Sequence, residues 1–267
     1  MAEHMEDAPA AVTKDRKIVF SYGGGRQSVA LILCMIEGRI PWPDHIIMAD
    51  TGRENETTWT YHNQYIAPLL AAYSRSVEIA GPAYCSVGLH STHGSLLIPV
   101  YSEPRGKYST WCSSEWKRRT RDRYMKAMGI KPKEMWLGLG YEEDRRWKKT
   151  HMSYQGKCLV RCPMVDLQMT TAEGLTLIAK HGLPLPTHSS CYMCPQKSNA
   201  EWIELKHKSP EQWKQAVALD AELREESIED GKGPIYLHYN RKPLPIAVAE
   251  AEDNAIPRRC ESEGCFT

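Results

Sequence analysis

The sequence predicts an α/β fold in which a parallel sheet carries helices on both faces. Two observations predict it. The apolar run Lys17-Ile-Val-Phe-Ser21 passes at once into the glycines of Ser21-Tyr-Gly-Gly-Gly-Arg-Gln-Ser28 and then into Val29-Ala-Leu-Ile-Leu-Cys-Met-Ile36. Strand, glycine turn and helix in immediate succession open a nucleotide-binding α/β unit. Beyond it, short apolar runs alternate with longer amphipathic segments, the pattern of parallel strands joined by helical crossovers.

The elements follow in order. Gly38 ends the first helix. His45-Ile-Ile-Met-Ala49 reads as the second strand and closes at Asp50-Thr-Gly52; Glu56 to Tyr73 reads as a helix. Ser76-Val-Glu-Ile-Ala80 is a third strand, Ser114 to Met128 a charged helix stopped near Gly129, and Glu134 to Leu139 a fourth strand. Leu159-Val160 is a short apolar strand between Cys158 and Cys162. Within Asp166 to His181, Thr170 or Thr171 followed by Glu173 marks a capped helix start. Ala200 to Lys206 and Pro210 to Ile228 are helical and amphipathic, and past Gly231 come the Pro-rich Lys242-Pro-Leu-Pro-Ile246 and a cysteine tail. The expected organisation is a loose tail over 1–15, a nucleotide-binding α/β domain over 16–182, and a cysteine-rich helical region over 183–267.

A chain of 267 residues buries a sizeable core, and its net charge of +1 excludes binding to nucleic acid by bulk electrostatics alone. Basic runs remain local, at Lys117-Arg-Arg-Thr-Arg-Asp-Arg123 and Arg145-Arg-Trp-Lys-Lys149. The N-terminus lacks a charged segment followed by an apolar one, and the chain lacks a long apolar run, so a cytoplasmic protein with no membrane partner is expected. Thiols stay reduced there, which turns nine cysteines away from a disulfide framework and towards metal.

Open parallel sheets bind ligands beyond the carboxyl ends of their strands. Three motifs fall there. Gly23, Gly24 and Gly25 let backbone N–H groups converge on a phosphate at a helix N-terminus. Arg26 adds charge to that cradle, and Ser21 and Ser28 add hydroxyls; a plain glycine turn is the alternative. The second motif is Asp50, Thr51 and Gly52, where a carboxylate could hold a ribose, a base amine or Mg²⁺, or where Thr51 or Asn55 simply caps a helix. The third is Gly138-Leu-Gly-Tyr-Glu-Glu-Asp-Arg-Arg146, with Gly138 and Gly140 at a strand end. Its Arg145 and Arg146 suit phosphate or sulfate, unless the segment is a solvated loop with local ion pairs.

The cysteines divide by setting. Cys34 lies in an apolar helix and Cys85 in a loop, and both read as plain residues. Cys158 and Cys162 are ligands or core. Cys191-Tyr-Met-Cys194 precedes Pro195 in a polar loop, where C-x-x-C serves metal or redox chemistry. Cys260 and Cys265 form a second close pair, and Cys112 stands upstream in Thr110-Trp-Cys-Ser-Ser-Glu-Trp-Lys117. Such thiolates suit Zn²⁺ or an iron–sulfur centre.

Together these residues resemble the phosphoadenosine phosphosulfate (PAPS) reductase family, a branch of the PP-loop ATP pyrophosphatase-like proteins, over Lys17 to Ala221. The family's phosphate loop, S-x-S-G-G-K-D-S, is matched by Ser21 to Ser28, its second strand end by Asp50-Thr-Gly52, and its W-x-x-G-[LI]-[RS]-x-x-E-x-x-R segment by Trp136 to Arg146. Iron–sulfur members carry a double cysteine upstream of a C-x-x-C; Cys112 matches its first member, Ser113 replaces the second, and Cys191 and Cys194 match the C-x-x-C. Ser189-Ser-Cys-Tyr-Met-Cys-Pro195 with Trp202, Leu205-Lys206 and Pro210-Glu-Gln-Trp213 is similar to its often phage-borne members. Gln27 stands where ATP-cleaving members have Asp, and the tail carries cysteines without the reductase motif E-C-G-[IL]-H.

The resemblance implies a HUP-type (Rossmann-like) sheet, an adenine-nucleotide site and a 4Fe-4S cluster on Cys112, Cys191 and Cys194, with Cys260 or Cys265 as a further ligand. It implies sulfonucleotide reduction in the cytoplasm of a bacterial host. Arg26, Arg145 and Arg146 would hold phosphate and sulfate, Cys265 or Cys260 would attack sulfur, and a dithiol partner such as thioredoxin would release sulfite. A second implied reading is an ATP-dependent sulfurtransferase that adenylates and thiolates a nucleobase, with the basic helix from Lys117 touching RNA or DNA. A third is a non-catalytic nucleotide-binding module with structural Zn²⁺.

Overall fold

The structure, a computed structural model, describes residues 17–85, 88–154 and 158–255. From the N-terminal side, β1 (Ile18–Ser21), α1 (Arg26–Ile36) and β2 (His45–Ala49) follow one another closely. Next come α2 (Glu56–Tyr61), a π-helical turn over His62–Ile66, α3 (Ala67–Ala71) and β3 (Glu78–Ala80). β4 (Tyr101–Ser102) and β5 (Gly106–Lys107) form a small hairpin before a second π-helical stretch, Ser113–Arg118, which runs into α4 (Arg119–Ala127). β6 (Glu134–Leu137), α5 (Asp144–Tyr154), β7 (Leu159–Arg161), α6 (Pro163–Asp166) and α7 (Thr171–Lys180) complete the first half. The second holds α8 (Asn199–Lys208), α9 (Pro210–Glu229), β8 (Ile235–Tyr236) and α10 (Leu244–Ala255).

Five parallel strands form the main sheet in the order β3-β2-β1-β6-β7. Side chains alternate across it as the strand period requires. Phe20, Ile46, Met48 and Trp136 enter a core shared with α1 and α7, while Val19, Ile47, Met135 and Val160 enter a second core with Met125 of α4. Both faces are covered, which is why these strands read as continuous apolar runs. The chain moves outward from β1 to β2 and β3, then returns to place β6 on the other side of β1. That reversal opens a crevice at the carboxyl ends of β1 and β6, the place where such sheets bind ligands.

A further core joins Leu97, Ile98, Val100 and Trp116 to Met193, Trp202, Leu219, Leu223, Leu237 and Val248. The segment around β4 therefore packs with the C-terminal helices, and β4 pairs with β8 as well as β5. Buried Asp220 holds this region together. It accepts from Leu237 N at 2.8 Å, Leu244 N at 3.0 Å and the Arg224 guanidinium at 2.7 Å. Thr170 with Glu173, and Ser198 with Glu201, form capping boxes that start α7 and α8.

Two segments that the sequence reading left without a helix are helical. The acid and arginine run after β6 is the start of α5, which Asp144 opens and which the i,i+4 pair Lys148–Asp144 supports. The Pro-rich segment is the start of α10, where Pro245 falls in a first turn that needs no N–H from it. Among the described residues no helix is long and apolar enough to cross a membrane.

Candidate functional site

The three glycines after β1 have different reasons for being glycine. Gly24 has φ +70°, and a Cβ there would lie 2.6 Å from Thr58 Cγ2. Gly25 is pressed against Ser189, whose Cβ would be 3.1 Å away. A Cβ on Gly23 would meet Ser28 Oγ at an ordinary 3.5 Å. Turn geometry and packing thus account for Gly24 and Gly25, and Gly23 is the position where a ligand's approach can be separated from them. Ser28 Oγ accepts from Gly23 N at 3.0 Å and fixes the loop over the N-terminus of α1.

The neighbouring residues frame this loop. Arg26 Nε reaches Pro186 O at 3.4 Å. Gln27 turns away from the loop to Glu143 and Thr171, both at 3.3 Å. Gly138 packs on α1, with Gln27 Cβ and Ser28 N each 3.3 Å from its would-be Cβ, and Gly140 is closed in by Glu142 and Thr171. Arg146 pairs with Glu143 at 2.8 Å, and Arg145 is exposed on the same helix α5. At the end of β2, Asp50 Oδ1 accepts from Gly52 N at 2.8 Å in a local turn. Thr51 is buried, and its hydroxyl has no partner among the described residues. An orphaned hydroxyl at a strand's carboxyl end costs stability until a ligand atom or water meets it. Asn55, not Thr51, caps α2.

The residue that organises the site is Glu54, buried to 4% exposure. Its carboxylate takes the Lys117 ammonium at 3.0 Å and the Ser189 hydroxyl at 3.1 Å. The same Ser189 hydroxyl lies 2.5 Å from Gly23 O. Glu54 also pairs with Cys191 in a short antiparallel bridge, with Asn55 N donating to Ser190 O at 3.0 Å and Tyr192 N to Arg53 O at 2.9 Å. The C-x-x-C loop is thereby stitched to the segment after β2, and Ser189 joins it to the glycine loop. Lys117 reaches Glu54 from the π-helical stretch that Cys112 precedes, a local irregularity often found at functional sites.

Cys112, Cys191 and Cys194 share this pocket. Burial pushes the Cys191 thiol up to about 12, opposed by Lys117 and reinforced by Glu54 and the other two cysteines. Burial also raises Cys194 and Cys112. Burial lowers Lys117, but Glu54, Cys191 and Cys194 outweigh it and the net shift is upward. Lys197, also buried, is lowered chiefly by burial. Among the described residues no group of three His, Cys, Asp or Glu could hold a single metal ion. The three thiols are neighbours that do not close on one ion, so the described residues supply no structural zinc site. A polynuclear cluster takes thiolates at separate corners, and its positive irons offset the cost of ionising buried thiols; these donors fit it.

Cys260 and Cys265 lie outside the described residues. Cys34 is core, and Cys162 is buried with its thiol raised to about 12 by burial, then Asp166 and Glu143. Cys158 packs beside the second face of the sheet. The basic run after Lys117 is engaged within the fold: Arg119 with Glu115 at 2.6 Å, Arg121 with Asp122 at 2.8 Å, Arg123 with Tyr84 O at 2.9 Å. Sequence reasoning missed Ser189, Glu54 and Lys197 as site residues. Glu54 stood two residues past Asp50-Thr-Gly52 and Ser189 beside the C-x-x-C, but nothing local marked their contacts.

No family model and no curated protein sequence matches the chain. Seven chains of solved structures match its fold. One is the U34-tRNA thiolase NcsA from Methanococcus maripaludis with its [4Fe-4S] cluster, 13% identical, with the match covering 76% of this chain and 70% of that one at a TM-score of 0.42.

Proposed function

We propose that this protein is an adenine-nucleotide-dependent enzyme of sulfur chemistry, of the sulfurtransferase type. One observation carries the reading: the single hydroxyl proton of Ser189 is shared between Gly23 O of the glycine loop and the Glu54 carboxylate, and Glu54 holds Lys117 beside Cys191. A phosphate cradle and a buried thiol pocket with a lysine are thus parts of one site. The motif resemblance to PP-loop proteins supports the same assignment. The glycine loop and the N-terminus of α1 bind the nucleotide's phosphates, with the Arg26 guanidinium at the first turn of that helix as their counter-charge. Cys112, Cys191 and Cys194 would hold an iron–sulfur cluster, which when bound supplies an iron for sulfur binding. Lys117 and Glu54 keep a fixed charge pair between the two halves, and Trp116 and Met193 exclude water from the thiol side.

In the overall reaction an acceptor carbonyl oxygen attacks the α-phosphorus of ATP and pyrophosphate leaves. A hydrosulfide-level sulfur then attacks the same carbon, and AMP leaves with the oxygen. This uses thiols within the described site, whereas sulfonucleotide reduction requires an attacking cysteine in the tail. Reconstituted protein given ATP, sulfide and bulk transfer RNA should release pyrophosphate and AMP. Sulfite released from a sulfonucleotide, and lost in Cys265→Ser, would overturn this reading in favour of the reductase.

A further inference from the structure

A cavity of about 330 Å³ opens between α2, with the π-helical turn that follows it, and the junction of α8 with α9. Glu56, Thr60, Gln64 and Tyr65 line one wall, and Lys208 and Ser209 the other. The walls are fixed to one another: Gln212, in the first turn of α9, accepts from Glu56 N at 2.9 Å and donates to Glu54 O at 3.1 Å. Ser209 is 1% exposed, and its hydroxyl has no partner among the described residues. A serine at the start of a helix ordinarily accepts from a first-turn N–H, but Ser209 makes no such bond to α9. An orphaned buried hydroxyl costs stability, and a ligand atom in the cavity beside it relieves that cost.

The lining selects the ligand. Lys208 holds Glu204 at 2.7 Å in an exposed pair that a bound anion replaces at small cost. Across the cavity the exposed Glu56 has no ion-pair partner among the described residues, and its carboxylate calls for hydroxyl or N–H donors. Tyr65 adds a half-buried ring packed on Tyr61 at 5.1 Å, and the exposed Gln64 offers both a donor and an acceptor. An inorganic anion would leave Glu56 and the ring unused, and an apolar molecule would leave Ser209 orphaned. A ribonucleotide unit meets them all, with phosphate on Lys208 and Ser209, ribose hydroxyls on Glu56 and the base on Tyr65. Aromatic stacking and ribose hydroxyl contacts are how proteins hold single-stranded RNA. Thr58, on the opposite side of α2, packs on Gly24. Cavity and glycine loop are therefore about 10 Å apart, the thickness of a helix, which a few nucleotides of one strand cover. We propose that this cavity binds a nucleotide of the acceptor RNA that flanks the one entering the crevice. The inference rests on the sulfurtransferase reading above for its choice of RNA.

The test titrates full-length protein with a labelled single-stranded oligocytidylate, read by fluorescence anisotropy, and with cytidine 5′-monophosphate, read by calorimetry. Cytidine keeps the probe distinct from the adenine nucleotide. Ser209→Ala should weaken RNA by about tenfold, the loss of a hydrogen bond to a charged group. It should melt no lower than the parent, because the hydroxyl it removes has no partner to lose. Lys208→Gln should lower the slope of log affinity against log salt by about 0.7, one phosphate contact on a single strand. Unchanged RNA affinity in Ser209→Ala, or no RNA binding by the parent, overturns the proposal. If Ser209→Ala loses the mononucleotide but keeps RNA, the cavity serves a free nucleotide and the assignment to RNA is overturned. Should Ser209→Ala not fold, the exposed Lys208→Gln decides, a lowered slope supporting the proposal and an unchanged one overturning it. Pyrophosphate release from ATP with transfer RNA reports separately on the function. Release by the parent with unchanged RNA affinity in Ser209→Ala sinks the cavity and leaves the sulfurtransferase reading standing. Weakened RNA in Ser209→Ala without release by the parent upholds the cavity and sinks that reading.

Discussion

A methyl group on Gly23 would meet Ser28 Oγ at 3.5 Å, whereas one on Gly24 would press on Thr58 in a backbone at φ +70°. Gly23→Ala should therefore fold with an unchanged melting temperature and lose ATP affinity by tenfold or more in calorimetry. Gly24→Ala should lose about 1–3 kcal/mol of stability in denaturant titration, because an L side chain is strained there. At the thiols, Cys191→Ser and Cys194→Ser should each lose iron on anaerobic reconstitution, and Cys34→Ser should retain it. The glycines and cysteines were legible in the sequence because few other residues can do their work. Ser189 was not, since its contact with Gly23 spans 166 residues and a lone serine carries no mark of it. Lys197 was hidden for the same reason: only the fold buries it and sets its ammonium on Ser190.

Asp220 joins three pieces of the C-terminal region through α9, the approach to α10 and the strand β8. Asp220→Ala would leave two buried N–H groups and the Arg224 cation without their acceptor, at a cost of about 3–5 kcal/mol. Chemical denaturation would register it as a fall in midpoint with little change in slope. Glu201 at the start of α8 gives a pH dependence. The hydrogen bond with His188 comes first, followed by the opposing effect of burial and then bonds from Ser198, and together they bring its carboxyl down to about 2. A lowered folded-state value means the stabilisation is present above the usual carboxylate range and is lost as pH falls towards about 2. In Glu201→Gln that part of the acid destabilisation should vanish from melting curves taken down the pH range. The main strands were legible because both faces are apolar, and α7 because its cap is written in Thr170 and Glu173. The start of α5 was obscured by residues equally at home in a loop. The π-helical stretches left no trace, since one extra residue in a turn does not disturb the apolar pattern enough to show.

The order of the sheet could not be read from the strands themselves, because pairing β1 with β6 depends on the whole chain's return. That pairing creates the crevice on which the candidate site depends. The core around Trp116 and Trp202 was likewise out of reach: it combines residues 97–116 with residues beyond 193, and nothing in either segment names the other. A fragment ending at residue 182 would expose Leu97, Ile98, Val100 and Trp116 together. It should express poorly and bind a hydrophobic dye, whereas the full chain should not; a soluble, dye-silent fragment would contradict the shared core. Ser189 lies between the two halves, with its hydroxyl bonded to the glycine loop and its chain continuing into the thiol loop. Occupancy on one side should then be felt on the other, and thermodynamic reciprocity makes the two effects equal in size. The ratio of ATP affinities in cluster-loaded and cluster-free protein equals the ratio of cluster affinities with and without ATP. Ser189→Ala, by cutting the shared bond, should bring both ratios towards unity together.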